Sequence, residues 1–414
     1  MKNRVVVTGL GAVTPIGIGK ENFFAGLKEG KNGIGNITLF DPAEYTCQIG
    51  GEVKDFKPEN FIDKKDAKRM DRYTHFAVAG AKLALEDSKI DLDKINHERA
   101  GVFIGSGIGG MQTLHNQYEK LFDKGPSRIS PFFVPMMLAN MATGQVAIEF
   151  KLHGPSACIV TACATGTDSI GNAFRTLQIG DADIMVAGGS EAAISQAGVA
   201  GFASMKALCM DHNDDPAHAS RPFDKNRNGF VMGEGSGIVI LETLEHAKAR
   251  GAKIYAEIIG YGRNNDAYHI TTPAPNGEFQ GKCMKLALDD ARIKPEDVDY
   301  INAHGTSTHY NDLGETMAIK NIFGEHAYKL AVSSTKSMTG HMLGAAGGIE
   351  VIASIMAIDE GIIPPTINYE TQDEGLDLDY VPNKSREQNV NIAMSNSFGF
   401  GGHNSCIVLK KFAE

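Results

Sequence analysis

The sequence predicts an α/β protein of helices layered on largely buried sheets, built as two similar halves. Two observations carry this expectation. Short β-branched runs alternate with stretches of helical apolar spacing along the whole chain. Two sequence echoes also recur in the same order in the two halves.

The elements follow in order. Residues 4–8 read as a strand, 74–88 as a helix and 101–105 as the next strand. A helix over 164–179 precedes strands at 183–188 and 236–241. Lys248-Ala249-Arg250-Gly251 then closes a helix with cations and a Gly stop, which places the boundary between halves 1–250 and 251–414. The second half gives a strand at 254–260, a helix at 279–291, strands at 298–302 and 329–334, a helix at 345–359 and a strand at 391–395. The first echo sets Leu83-Ala84-Leu85-Glu86-Asp87-Ser88-Lys89-Ile90 beside Leu286-Ala287-Leu288-Asp289-Asp290-Ala291-Arg292-Ile293. The second pairs the helix after Cys163, ending at Ile179-Gly180, with the helix after His341, ending near Gly361.

Composition narrows the function. The chain has 414 residues, 42% hydrophobic and 22% charged, an ordinary globular balance. Its 47 glycines fit tight backbone packing, because apolar periodicity persists throughout. A formal charge of -10 argues against a nucleic-acid or anionic-membrane binder. Six cysteines lack CxxC pairs and framework spacing, so reduced thiols in a reducing compartment are expected. With a strand at the N-terminus in place of a signal peptide, and no run of roughly 18 apolar residues, a soluble cytoplasmic protein is expected.

His153-Gly154-Pro155-Ser156-Ala157-Cys158-Ile159-Val160-Thr161-Ala162-Cys163-Ala164-Thr165-Gly166 is the most informative stretch. A short apolar strand ends at a Cys among small residues and a helix begins at once. That turn exposes the sulfur to the helix N-terminus, which is expected to lower its pKa. Small neighbours leave room for a large substrate and turn a backbone N–H toward an oxyanion. Cys47, Cys158, Cys209, Cys283 and Cys406 read instead as small core hydrophobes. Alone, Cys163 fits a thiolase, a hydrolase or a redox thiol.

Two of the 13 histidines narrow this choice. His304 follows a buried strand in Tyr300-Ile301-Asn302-Ala303-His304-Gly305-Thr306-Ser307-Thr308, and His341 opens a Gly/Ala helix in Thr339-Gly340-His341-Met342-Leu343-Gly344-Ala345-Ala346-Gly347. Strand C-termini and helix N-termini are where α/β folds present ligand-facing residues. A thiol with one His gives acyl transfer or hydrolysis. A second neutral His adds an N–H for a developing enolate oxygen, as decarboxylation of a malonyl unit requires. Lys336 places a cation close by.

VVVTGLGAVTPIG, VTACATG, RPFDKNRNGFVMGEG, NAHGTST, STKSMTGHMLGAAGG and NSFGFGGHN together resemble the motifs of the β-ketoacyl-[acyl-carrier-protein] synthases, in the family's order and across essentially the whole chain. The resemblance implies a thiolase-like fold, two α/β halves in a five-layer αβαβα sandwich, and a homodimer. It implies acyl transfer to Cys163, then decarboxylative condensation with malonyl-carrier protein assisted by His304 and His341. His341 points to the Cys–His–His elongating branch, and Ile108 to its second type over the first. By the same resemblance Ile108 and Phe202 line the acyl pocket. Phe400 gates it and completes the oxyanion hole with the Cys163 N–H. Lys336 orients the histidine side, Glu350 anchors Lys336, and Thr271, Thr306 and Thr308 contact pantetheine. No metal or diffusible cofactor is implied. His309 departs from the Pro that many relatives carry, and His403 from the Thr of some.

The carrier protein is acidic, so docking needs basic residues. Lys64, Lys65, Lys68 and Arg69 form the densest run, and Lys206 is expected to join it in space. Two rival readings fit part of the sequence. Gly105-Ser106-Gly107-Ile108-Gly109-Gly110 fits the dinucleotide pattern of an oxidoreductase, but residues 118–124 read as helix where an acid-ended strand is required. A non-catalytic chain-length-factor-like subunit would lose the active Cys, which is present.

Overall fold

The computed structural model describes residues 2–413. Its main sheet has ten strands on one path: β1 (Val5–Thr14), β2 (Ala100–Gly105), β3 (Ser156–Ala157), β4 (Ile184–Glu191), β5 (Gly235–Thr243), β6 (Ala256–Asn265), β7 (Tyr300–Asn302), β8 (Ala331–Ser333), β9 (Ile392–Gly399) and β10 (His403–Lys410). Gly17–Ile18 is appended to β1. Outward from the centre, the first half runs β1-β5-β4-β2-β3 and the second β6-β10-β9-β7-β8. In both, two antiparallel pairings are followed by two parallel ones. The halves join through β1 and β6, where Val5, Val6 and Val7 pair with Ile258, Glu257 and Ala256.

Seven main helices complete the layers: α1 (Arg72–Ser88), α2 (Met111–Lys124), α3 (Met141–Phe150), α4 (Thr165–Ile179), α5 (Glu278–Ala291), α6 (His309–Phe323) and α7 (Ala346–Glu360). Side chains alternate across each strand, so each sheet half feeds two cores. Ile184 and Val186 of β4 join α1 and α3 in one core, whereas Met185 and Ala187 join α4 and α7 in another. On β10, Ile407 and Leu409 reach the α4/α7 core, while Cys406 and Val408 pack with α5 and α6. The result is five layers with α4 and α7 in the middle. That position explains the apolar character of α7, of whose 15 residues 13 are buried. The Gly excess has its reason here: a Cβ on Gly348 of α7 would lie 2.2 Å from the Gly237 carbonyl oxygen of β5.

The echoes are helices with matching ends. Lys89 and Arg292 cap α1 and α5 in the left-handed region, at φ 55° and 57°. Gly180 and Gly361 do the same for α4 and α7. Expected strands shift by a few residues at their ends. The strand before Cys163 is shorter than expected, because β3 ends at Ala157 and residues 158–161 carry no regular structure. Helices α3 and α6 and strand β10 are elements the sequence reading did not assign. Among the described residues, no helix is long and apolar enough to cross a membrane.

Candidate active site

Cys163 sits in a short 3-10 turn, Ala162–Ala164, that leads into α4. The bend is taken by Ala162, at φ 49°, a backbone conformation a non-Gly residue holds only when its surroundings fix it. Thr161 is pinned on both sides: its N–H donates to Thr165 Oγ1 (2.9 Å) and its hydroxyl to Asp168 Oδ2 (2.6 Å). Tyr261 of β6 donates to the other Asp168 oxygen at 2.6 Å, so the second half braces the turn of the first. The thiol differs from expectation. Burial pushes it up to about 12, against the lowering effects of the Lys336 charge and the Phe400 N–H. Loss of solvation outweighs the favourable charges, so Cys163 rests as a thiol and needs a base to become a nucleophile.

The second half supplies candidate bases. His304 follows β7, and its backbone is set by Glu315 of α6, whose carboxylate accepts from the N–H groups of His304 (2.9 Å) and Gly305 (2.8 Å). His341 is set by its own N–H to the Val231 carbonyl at 2.7 Å. The two imidazoles meet edge to face, 5.3 Å between centroids and 86° between planes. Burial, then the nearby Lys336 charge, holds both well below the ordinary histidine range. Both are therefore neutral. Lys336 Nζ lies 3.4 Å from His304 Nδ1 and donates to it, which leaves the His304 proton on Nε2. Glu350 of α7 pairs with the Lys336 ammonium, and burial pushes that carboxyl up to about 7.

Cys163, His304 and His341 line one cavity of about 270 Å³. Thr271, Thr306, Thr308, Phe202, Phe400 and Lys206 line it too. Thr306 and Thr308 share a hydrogen bond of 2.8 Å. Phe202 stacks obliquely with Phe400 at 6.4 Å, and Phe398 sits edge-on to His304. The Phe400 turn is stitched to the 265–275 loop: Gly401 N–H donates to the Ile270 carbonyl (2.8 Å), Asp266 N–H to the Gly402 carbonyl (2.8 Å) and Asn404 Nδ2 to Asp266 Oδ1 (2.6 Å).

Not every sequence-selected residue converges here. Ile108 packs in the apolar cluster holding Cys163 and Phe202. Lys64, Lys65, Lys68 and Arg69 lie exposed on and after a separate helical turn, Lys64–Ala67, with Arg69 over the Phe132 ring. Lys206 lines the cavity, on a different element from the run. His309 is exposed at the start of α6, its Nδ1 3.3 Å from Arg227 Nη2. The glycines of 105–110 face protein rather than a phosphate space: a Cβ on Gly110 would meet the Met136 carbonyl oxygen at 2.2 Å, and one on Gly107 the Glu191 carboxylate at 2.9 Å. Sequence reading missed Glu315, Asp168, Asp266 and Glu191. Each is a single acid made important by long-range folding, with no local pattern to mark it. Phe398 and Asn404 stood within the noted NSFGFGGHN segment and could have been selected there.

The chain resembles known proteins along its whole length. Residues 2–247 match the family described as Beta-ketoacyl synthase, N-terminal domain, and residues 255–370 match its C-terminal domain. The 3-oxoacyl-[acyl-carrier-protein] synthase 2 of Synechocystis sp. is 58% identical over 411 residues, covering 99% of both chains. That of Staphylococcus aureus (strain COL) is 54% identical over 409 residues, covering 99% of this chain and 98% of the relative. A beta-ketoacyl synthase from Burkholderia phymatum superposes with TM-score 0.93 at 34% identity over the full length of both. A type II PKS ketosynthase in complex with its acyl-carrier protein and bound to the hexaketide superposes with TM-score 0.92 at 36% identity, again over both full lengths. With a Cys turn from one half facing two neutral histidines from the other, and with relatives matching end to end, the chain belongs to the beta-ketoacyl synthase family.

Proposed function

We propose that this protein is an elongating 3-oxoacyl-[acyl-carrier-protein] synthase of type II, a condensing acyltransferase. The observation that carries the reading is one cavity holding a thiol at a strained turn and two neutral imidazoles. In the first step the Cys163 thiol passes its proton to a histidine and attacks the acyl thioester. The carrier thiol leaves and takes a proton. The N–H groups of Cys163 and Phe400 receive the oxyanion. Malonyl-carrier protein then enters, and its carbon–carboxylate bond breaks. Carbon dioxide departs, and the electron pair forms an enolate whose oxygen takes hydrogen bonds from His304 and His341. The enolate carbon attacks the Cys163 thioester, the C–S bond breaks, and Cys163 recovers a proton. The electrons come from the malonyl bond, so this scheme contains no redox cofactor.

Burial, reinforced by the Lys336 charge, keeps both histidines neutral; Lys336 also fixes the His304 tautomer, and Glu350 anchors Lys336. Thr271, Thr306 and Thr308 serve the pantetheine arm at the cavity mouth. Ile108 and Phe202 shape the acyl end, and Phe400 gates it. The partner is acyl carrier protein, docking on Lys64, Lys65, Lys68, Arg69 and Lys206. The chain acts in the cytoplasm as a homodimer, and its halves divide near residue 250. The test compares Cys163→Ala and Cys163→Gln supplied with malonyl-carrier protein. Condensation is expected to vanish in both while carbon dioxide release persists. Full condensation by the Ala variant would sink the assignment.

A further inference from the structure

The two halves correspond residue by residue around their central helices. Cys163 is the middle residue of the turn Ala162–Ala164, and Gly344 is the middle residue of the turn Leu343–Ala345 before α7. The residue ahead of each has nearly the same left-handed conformation, φ 49° at Ala162 and 47° at Leu343. Gly399 ends the eight-residue β9, and Glu191 ends the eight-residue β4. In the first-half turn the strand-end residue is a glycine, packed so close that a Cβ on it would lie 3.1 Å from the Cys163 nitrogen and 2.7 Å from the Thr161 carbonyl oxygen. In the second-half turn a glutamate stands at the matching strand end, and its carboxylate takes the N–H of the turn's middle residue. Its Oε2 accepts from the Gly344 N–H (3.0 Å) and the Gly107 N–H (2.8 Å). Its Oε1 accepts from Ser106 Oγ (2.8 Å) and the Ile108 N–H (3.3 Å). Glu191 is fully buried, and the four groups that hydrogen-bond to its carboxylate are all donors. A negative group is what fits four converging donors.

We infer that Glu191 is a positioning residue for chain-length selection: its carboxylate plugs the second half's copy of the oxyanion site and clamps the Ile108 loop to the Leu343 turn. Ile108 and Leu343 both pack in the apolar cluster around Cys163, one from each half. Fixing the two backbones on one carboxylate fixes the spacing of those side chains, and so the depth available to an acyl chain. Three backbone N–H groups and one hydroxyl hold the carboxylate, so the clamp acts through geometry rather than through an ion pair with the catalytic groups.

This inference rests on the condensing-enzyme reading. The test is a ladder of acyl-carrier proteins differing by two carbons, assayed with wild type, Glu191→Gln, Ser106→Ala and the control Glu242→Gln. In Glu191→Gln the amide NH2 must face either Ser106 and Ile108 or Gly107 and Gly344, so two donors lose their acceptor. The ratio of kcat/KM between the preferred chain and the next longer one is expected to fall by about fivefold or more, against the roughly tenfold or greater discrimination a methylene supplies in a shaped pocket. Ser106→Ala removes one donor and is expected to broaden the profile less. Glu242→Gln lowers the melting temperature without changing the ratio. An unchanged ratio in folded Glu191→Gln overturns the inference, as does an unchanged ratio in Ser106→Ala should Glu191→Gln fail to fold. Wild type that condenses no acyl chain at all would instead overturn the functional reading.

Discussion

At the scale of single residues, burial and one ammonium set the chemistry. Cys163 is raised by burial and lowered by Lys336, while His304 and His341 are lowered by burial and further by the same Lys336. Lys336→Met should therefore move all three upward. Alkylation of Cys163 by iodoacetamide at neutral pH is expected to slow by about tenfold, one unit of thiol pKa. Both histidines should titrate closer to the ordinary range in proton NMR. Faster alkylation, or histidines that do not move, would contradict this balance. Cys163, His304 and His341 were legible in the sequence, because each stands among small residues and glycines at a strand or helix end. The thiol's resting state was not. A helix N-terminus can be read from the local sequence, but the desolvation of Cys163 comes from residues brought together by the fold, Ile49, Val199 and Leu343 among them.

At the scale of elements, the joints between strands and helices rest on buried acids. Glu242 at the end of β5 has a side chain closed to solvent and accepts from Arg250 Nε at 2.9 Å, from His246 and from Thr8 of β1. Burial raises its pKa, but these partners overcome that and hold it at about 2, below the ordinary 4.5. A depressed carboxylate stabilises the fold above its unfolded value and loses that contribution as pH falls through the folded one. Between pH 4.5 and pH 2 the protein should therefore lose about 3 kcal/mol from this group. Urea unfolding of Glu242→Gln should lack that part of the acid dependence. A wild-type and variant pair with parallel pH curves would refute it. The strands and central helices were legible because alternation and helical spacing survive without context. Strand β3 was over-read, since the apolar run 158–161 satisfies its backbone through side chains such as Thr165 rather than through a ladder.

At the scale of the whole molecule, two surfaces carry expectations. Phe122, Val134 and Ile148 on the segment leading to the edge strand β3, and Val160 just after it, are more than half exposed, and among the described residues the outer side of β3 is unpaired. An apolar face beside a free strand edge favours a second copy. Light scattering should give twice the chain mass, and Ile148→Asp with Val160→Asp should shift it toward one. Around Lys65 and Lys68, reversal to Glu should raise KM for carrier-protein substrates severalfold and flatten its salt dependence, with kcat retained. An unchanged KM would remove that run from docking. The duplication was legible as two echoes, but the mirrored strand order appears only when all ten strands are placed. The joint at β1 and β6 also bears on how the chain is made. Val5 pairs with Thr243 and Ile258, so β1 waits for partners about 240 residues behind it. At about 5–20 residues per second, that leaves a valine-rich strand without its neighbours for roughly ten to fifty seconds on the ribosome. Holding chaperones, rather than stepwise folding of the first half, would be expected to bridge that interval.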